Sequence, residues 1–174
     1  MIHNELLSLI YLIIPGVVAN MTPVLVKKIP LLSEPISPKV FGSHKTYRGF
    51  FFGILGAIII VWIQKRLYIQ GFFTQWSLLN YGSYSPLLVG FLMGFGVLFG
   101  DLVKSYFKRK VGIPPGKRWF PFDQLDALGG GLIFLSVIYI PPIHNILELA
   151  VIVSILHVFL NHLGYWGGVK KTKW

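Results

Sequence analysis

The 174-residue chain contains no cysteine. Disulfides and thiolate metal sites are therefore excluded. Charge is also scarce: 13% of residues are charged, against about 25% in an average soluble domain. Acidic residues are the scarcest class, six against sixteen Lys and Arg, for a net charge of +10. With 54% apolar residues and a mean hydropathy of +0.67, an ordinary soluble globule is ruled out and an integral membrane protein is indicated. No soluble surface combining basic and aromatic residues is evident, so nucleic acid is not an expected partner. The basic surplus reads instead as membrane topology and contact with anionic headgroups. The N-terminus does not read as a signal peptide. Glu5 stands where a basic region would be, and no clear small-residue cleavage site precedes Lys27.

What is present is a series of apolar runs. Leu6 to Val26 is 21 residues without formal charge, enough to span roughly 30 Å of hydrocarbon. Pro15 and Pro23 kink it. Asn20 within it either bonds a neighbouring helix or lines a polar cavity. The sequence predicts an all-α integral membrane protein of five transmembrane helices, over about 5–26, 49–64, 84–107, 123–140 and 145–166. Two cytoplasmic loops, 27–48 and 108–122, separate them within a single membrane domain. Gly49, Gly53 and Gly56, and two GxxxG pairs at Gly90, Gly94, Gly96 and Gly100, permit close helix packing. Tyr68, Trp76, Tyr81 and Tyr84 mark an interfacial outer loop. Loop 27–48 holds five Lys/Arg, region 101–122 six and the tail three (Lys170, Lys171 and Lys173), whereas 65–83 holds two. Positive-inside asymmetry then puts the N-terminus outside and the C-terminus in the cytoplasm.

Chemistry concentrates in residues 100–131. Three of the six carboxylates, Asp101, Asp123 and Asp126, lie there with Lys104, Lys108, Arg109, Lys110, Lys117 and Arg118. Helical spacing puts Asp101, Lys104, Ser105 and Lys108 on one face. Pro114, Pro115, Gly116 and Pro121 forbid a regular helix between Val111 and Phe122. Asp123 and Asp126 then open the next helix, where Gly129, Gly130 and Gly131 leave room beside them. An ion pair of Asp101 with Lys104 or Lys108 explains one carboxylate, and the helix macrodipole explains Asp123. Three carboxylates among six cations also suit Mg2+, which takes oxygen ligands from carboxylates and substrate phosphates. Lys and Arg would neutralise the rest of the phosphate charge. That pattern describes phosphoryl or nucleotidyl transfer. Upstream, FGSHKTYRG (41–49) suits an anion cradle built from Lys45, Thr46 and Arg48, or simply marks a helix entrance.

The run from Ser105 to Asp126, S-x2-KR-x2-G-x3-G-x4-P-x-DQ-x-D, resembles the CTP-dependent lipid cytidylyltransferases. Bacterial phosphatidate cytidylyltransferase belongs to that superfamily but carries Asp-Arg where this chain has Asp123-Gln124. The Asp-Gln form, with Gly100-Asp101-x2-Lys104-Ser105, is similar to the CDP-archaeol synthase family. Ala19-Asn20 with Pro23, the run Lys45 to Gly49, and His157-x3-Asn161 with Tyr165, Gly168 and Lys170 agree with it. The first loop departs from that family's pattern: its acidic residue is Glu34 and it has no Asp-Gly.

The resemblance implies that CTP and a phosphorylated isoprenoid glycerol ether lipid give a CDP-lipid and pyrophosphate. It also implies a plasma-membrane enzyme whose site faces the cytoplasm. Asp101, Asp123 and Asp126 would hold Mg2+ and, with Lys104, form the catalytic set. Lys108, Arg109, Lys117 and Arg118 would hold triphosphate, with Ser105 and Thr46 beside it. Lys45 and Arg48 would meet the lipid phosphate or the triphosphate. Asn20, His157 and Asn161 would complete the nucleotide site, or else bond helix to helix. Two alternatives remain: an ester-lipid phosphatidate cytidylyltransferase, and a non-enzymatic small channel or transporter. The DG-x2-AR-x8-G-x3-D-x3-D run of CDP-alcohol phosphotransferases does not occur.

Overall fold

Glycine determines which helices touch in the computed structural model, which describes residues 2–114 and 117–168. Five α-helices occur in order: α1 Ile2–Leu25, α2 Tyr47–Ile69, α3 Pro86–Lys110, α4 Phe122–Leu135 and α5 Ile143–Trp166. Single 3-10 turns at Val26–Lys28 and Thr74–Trp76 interrupt the first two connections. The architecture is all-helical, as the composition implies. Pro115, Gly116 and the tail lysines Lys170, Lys171 and Lys173 lie outside the described residues.

The stripe Gly49, Gly53 and Gly56 of α2 packs on α1, against Pro23, the Ala19 carbonyl and Val18. The two GxxxG pairs of α3 serve two different neighbours. Gly90 and Gly94 admit α2 at Ile58, Ile54 and Ala57. Gly96 and Gly100 admit α4 at Gly130 and Asp126. The Gly130 position is thus filled by the α3 backbone and Gly131 meets Val97, so neither leaves room beside the carboxylates; of the three glycines 129–131, only Gly129 faces open space.

Helix α2 is longer than the apolar run 49–64. Thr46 caps its start by accepting from the Gly49 N–H at 3.1 Å. Its far end continues through Lys65 and Arg66 because both charges find partners. The Lys65 ammonium donates to the carbonyls of Tyr84 at 2.9 Å and Gly82 at 3.3 Å, and Arg66 lies over the Trp62 ring. Helix α4 is shorter than the expected span 123–140. It ends at Leu135 after 14 residues, about 21 Å of rise. The chain then turns: the Ser136 hydroxyl donates to the Ile133 carbonyl at 2.6 Å, and Pro141 disfavours helical geometry at Ile140. Helices α1, α2, α3 and α5 are each long and apolar enough to cross a bilayer. Ile133, Val137, Ile140, Ile143, Leu147 and Val151 remain exposed, as side chains facing lipid would.

At the end opposite residues 101–126, the loop after α2 folds onto the bundle. Leu79 and Tyr81 join Tyr11, Leu12, Val61, Val89 and Met93 in one core. Burial, with Tyr11 beside it, pushes the Tyr81 hydroxyl's pKa far up, so it stays neutral. The Gln64 amide donates to the Tyr11 carbonyl at 2.7 Å and locks α2 to α1. Only 11% of the apolar window of α5 is buried, so this helix lines the bundle's edge.

Candidate active site at the charged ends of α3 and α4

Close approach of α3 and α4 builds the site. At Gly96 a Cβ would come within 2.7 Å of the Gly130 carbonyl, so the crossing requires glycine. The same crossing brings Asp101 at the end of α3 against Asp126 in α4. Lys104, one turn beyond Asp101, reaches between them. Its ammonium lies 3.0 Å from Asp101 Oδ1, 3.2 Å from Asp123 Oδ1 and 2.8 Å from Asp126 Oδ2. Lys108, one further turn along, donates to both Asp123 oxygens at 3.0 and 3.2 Å and to the Lys117 carbonyl. Lys45 arrives from the first loop and pairs with Asp101 Oδ2.

Six side chains therefore form one network, three ammoniums against three carboxylates. Each is mostly buried, with Lys45 the most exposed at 27%. Buried charges need such pairing, because each carries a desolvation cost of several kcal/mol. The ion-pair reading of Asp101 thus holds for Lys104, while Lys108 goes to Asp123. The link from Lys45, 56 residues away in sequence, could not be read from local spacing.

The loop between α3 and α4 is held by the same residues. The Trp119 N–H donates to Asp123 Oδ2, and the Asp123 N–H donates back to the Trp119 carbonyl at 2.9 Å. The Ile113 N–H closes on the Lys108 carbonyl at 2.9 Å, with Gly112 in the left-handed region at φ 77°. Asp123 thus orders the loop that carries Lys117 and Arg118, both exposed.

Other candidates have different surroundings. The Ser105 hydroxyl donates to the Asp101 carbonyl at 2.7 Å, within its own helix, and Thr46 caps α2. Arg48 is buried and donates to the Ile29 carbonyl, tying together the two ends of the first loop. The Arg48 and Lys45 backbones anchor that loop further, through Leu32 and Ile36. Arg109 has two buried nitrogens without a hydrogen-bond partner, Nε and Nη1, and Arg48 has one, Nε. A guanidinium left so is costly unless an anion completes it. Asn20 lines an apolar cavity of about 70 Å³ among α1, α3, α4 and α5. His157 and Asn161 lie on α5, Asn161 buried and His157 half-buried.

Carboxylate oxygens are the donors Mg2+ prefers. By chemistry Asp101, Asp123 and Asp126 fit that ion. Among the described residues, however, no three of His, Asp and Glu are disposed to hold a metal as they stand. The point the three aspartates share is taken by the Lys104 ammonium.

These features define a polytopic helical membrane protein with a buried, charge-balanced carboxylate–lysine centre at one end of its bundle. The sequence model of the family described as CarS-like, CDP-archaeol synthase, matches residues 2–174. The chain belongs to that family. It is 34% identical over 173 residues to the CDP-archaeol synthase of Methanococcus maripaludis, covering 97% of both chains. To that of Thermococcus onnurineus it is 34% identical over 180 residues, covering 98% of both. A solved structure described as an intramembrane enzyme for archaeal membrane lipids biosynthesis shares the fold. Its TM-score is 0.67 at 24% identity, over 87% of this chain and 91% of that one.

Proposed function

We propose that this chain transfers the cytidylyl group of CTP to the phosphate of a bis-geranylgeranyl glycerol ether lipid, releasing pyrophosphate. The observation that carries the reading is the six-residue centre of Asp101, Asp123, Asp126, Lys45, Lys104 and Lys108, in a chain of this family. A lipid phosphate oxygen attacks the α-phosphorus of CTP. The new P–O bond forms as the bond to the β-phosphate oxygen breaks, and pyrophosphate leaves. The attacking phosphate monoester, with a second pKa of about 6, is already largely dianionic at neutral pH. It needs no protein base, so positioning and charge neutralisation are the protein's task.

Lys45, Lys104 and Lys108 would exchange carboxylate partners for phosphate oxygens, and Arg109 would complete its guanidinium on one. Lys117 and Arg118 add cationic charge at the rim, and the buried Arg48 adds it from beneath the first loop. Asp101, Asp123 and Asp126 would hold Mg2+ directly or through water. The bound ion would neutralise triphosphate charge. Five crossings, with α4 and the segment to Pro141 as the fourth, put both basic loops on the cytoplasmic side of the plasma membrane, where CTP is available.

The test is incubation of purified protein with labelled CTP, Mg2+ and a panel of phosphorylated lipids, ether and ester. Labelled CDP-lipid should form from the ether acceptor. Product from the ester acceptor alone would reassign the substrate, and no product from either would sink the reading. Asp123→Asn keeps an oxygen for the Trp119 N–H while removing the charge. It should leave a folded protein with turnover lower by at least roughly a hundredfold. Near-normal turnover would remove Asp123 from the catalytic set.

A further inference from the structure

Among the described residues, Lys104 alone contacts all three aspartates, at 2.8 to 3.2 Å. Its ammonium occupies the point that these carboxylates share, and these are the residues that would hold a divalent ion. The centre is also already neutral, because Lys45 pairs with Asp101 and Lys108 with Asp123. No net negative charge is left to draw a bare cation in. A divalent ion entering alone would have to drive Lys104 from its partners. The side chain is 13% exposed, so the expelled ammonium would be left poorly solvated and without a counter-charge. A triphosphate changes that balance, because its oxygens can take over the ammonium as the ion arrives.

We infer that Lys104 is the resting occupant of the divalent-cation position, so that the substrate-free protein excludes Mg2+ and the ion enters only together with the nucleotide. This rests on the cytidylyltransferase reading for the identity of the nucleotide, but not for the exclusion itself. The consequence is coupled loading. Metal and CTP bind as a unit, and departure of pyrophosphate with the metal lets Lys104 return and reset the centre.

The test is protein-retained Mn2+, measured by equilibrium dialysis of detergent-solubilised protein with and without CTP. Wild-type protein should retain Mn2+ only when CTP is present. Lys104→Met keeps the apolar stem and removes the charge. It should bind Mn2+ without nucleotide at least roughly tenfold more tightly than wild type, because in wild type the displaced ammonium would still repel the ion from about 4 Å away. Lys104→Arg, still cationic, should exclude Mn2+ as wild type does. Should the Met variant not fold, Lys104→Gln carries the same expectation; should neither fold, the wild-type arm decides alone. Wild type binding Mn2+ as tightly without CTP as with it would overturn the inference. So would a folded neutral variant with no gain in Mn2+ affinity. If neutral variants gain Mn2+ while CTP gives wild type none, the nucleotide assignment fails and the exclusion by Lys104 stands.

Discussion

Gly100 of α3 lies directly against the backbone carbonyl of Asp126 in α4, with no space for even a methyl group between them. The residue after Gly100 and the side chain of Asp126 are both partners of Lys104. The crossing that glycine permits is thus what brings two of the aspartates onto one ammonium. The carboxylate centre depends on a backbone contact, and not only on the residues that carry charge.

Gly100→Ala should therefore impair the site as well as the fold. A Cβ would collide with backbone, which cannot swing aside as a flexible side chain can, and the Gly130 Cα lies 3.1 Å from the same position. Overpacking of this kind costs about 1–3 kcal/mol. A shift of about 1 Å in reacting groups can lower turnover by about a hundredfold. Gly129→Ala is the control, since nothing lies within 4 Å of its Cβ. In the helix interior it should be neutral or stabilising by up to about 1 kcal/mol. Thermal unfolding and turnover of both variants check this; equal behaviour would mean that α4 adjusts freely against α3.

Much of this arrangement was legible in the sequence. Apolar runs bounded by Pro and by paired charges placed five helices, and the charge census singled out residues 100–131. The two helix ends that differed most, at Ile69 of α2 and Leu135 of α4, did so for physical reasons. Lys65 and Arg66 look like the end of a span, yet the carbonyls of Gly82 and Tyr84 and the Trp62 ring let α2 continue through them. Residues 136–140 look like the rest of a span, but hydropathy does not distinguish an exposed apolar turn from an exposed apolar helix. Within the site, helical spacing put Asp101, Lys104 and Lys108 on one face. It could not show that Lys104 would reach Asp123 and Asp126, because that depends on how closely α3 and α4 cross. Nor could it pair Lys45 with Asp101, a contact made across two helices and a loop.

Arg109 differs from the three lysines of the centre. Its Nε and Nη1 hydrogens are buried and unpartnered, whereas Lys45, Lys104 and Lys108 are each satisfied by carboxylate. Arg109→Met should then separate stability from function. Removing an uncompensated guanidinium should raise the stability of substrate-free protein by about 1–3 kcal/mol. Losing a charge-assisted contact to phosphate should lower kcat/KM by at least roughly tenfold. Thermal melts without substrate, set beside initial rates, read both. A variant that melts lower would show that the guanidinium is stabilising in the free protein, and one that turns over like wild type would show that Arg109 meets no phosphate.

Nucleotide choice gives the last prediction, and it is independent of turnover. A ligand that binds only the folded state stabilises it by RT ln(1 + [L]/Kd), about 2.7 kcal/mol at a hundredfold excess over Kd. The lysine centre recognises triphosphate, which CTP and ATP share, so charge alone would stabilise the protein equally with either. Selectivity requires contacts to the base as well. In the presence of Mg2+, CTP should raise the melting temperature of detergent-solubilised protein at concentrations where ATP does not. The Asp123→Asn variant, with its loop anchor at Trp119 kept but its charge lost, should show a smaller CTP shift. Equal shifts with CTP and ATP would reduce the site to a general triphosphate cradle. No shift with either would leave the three lysines as structural partners of the three aspartates and nothing more.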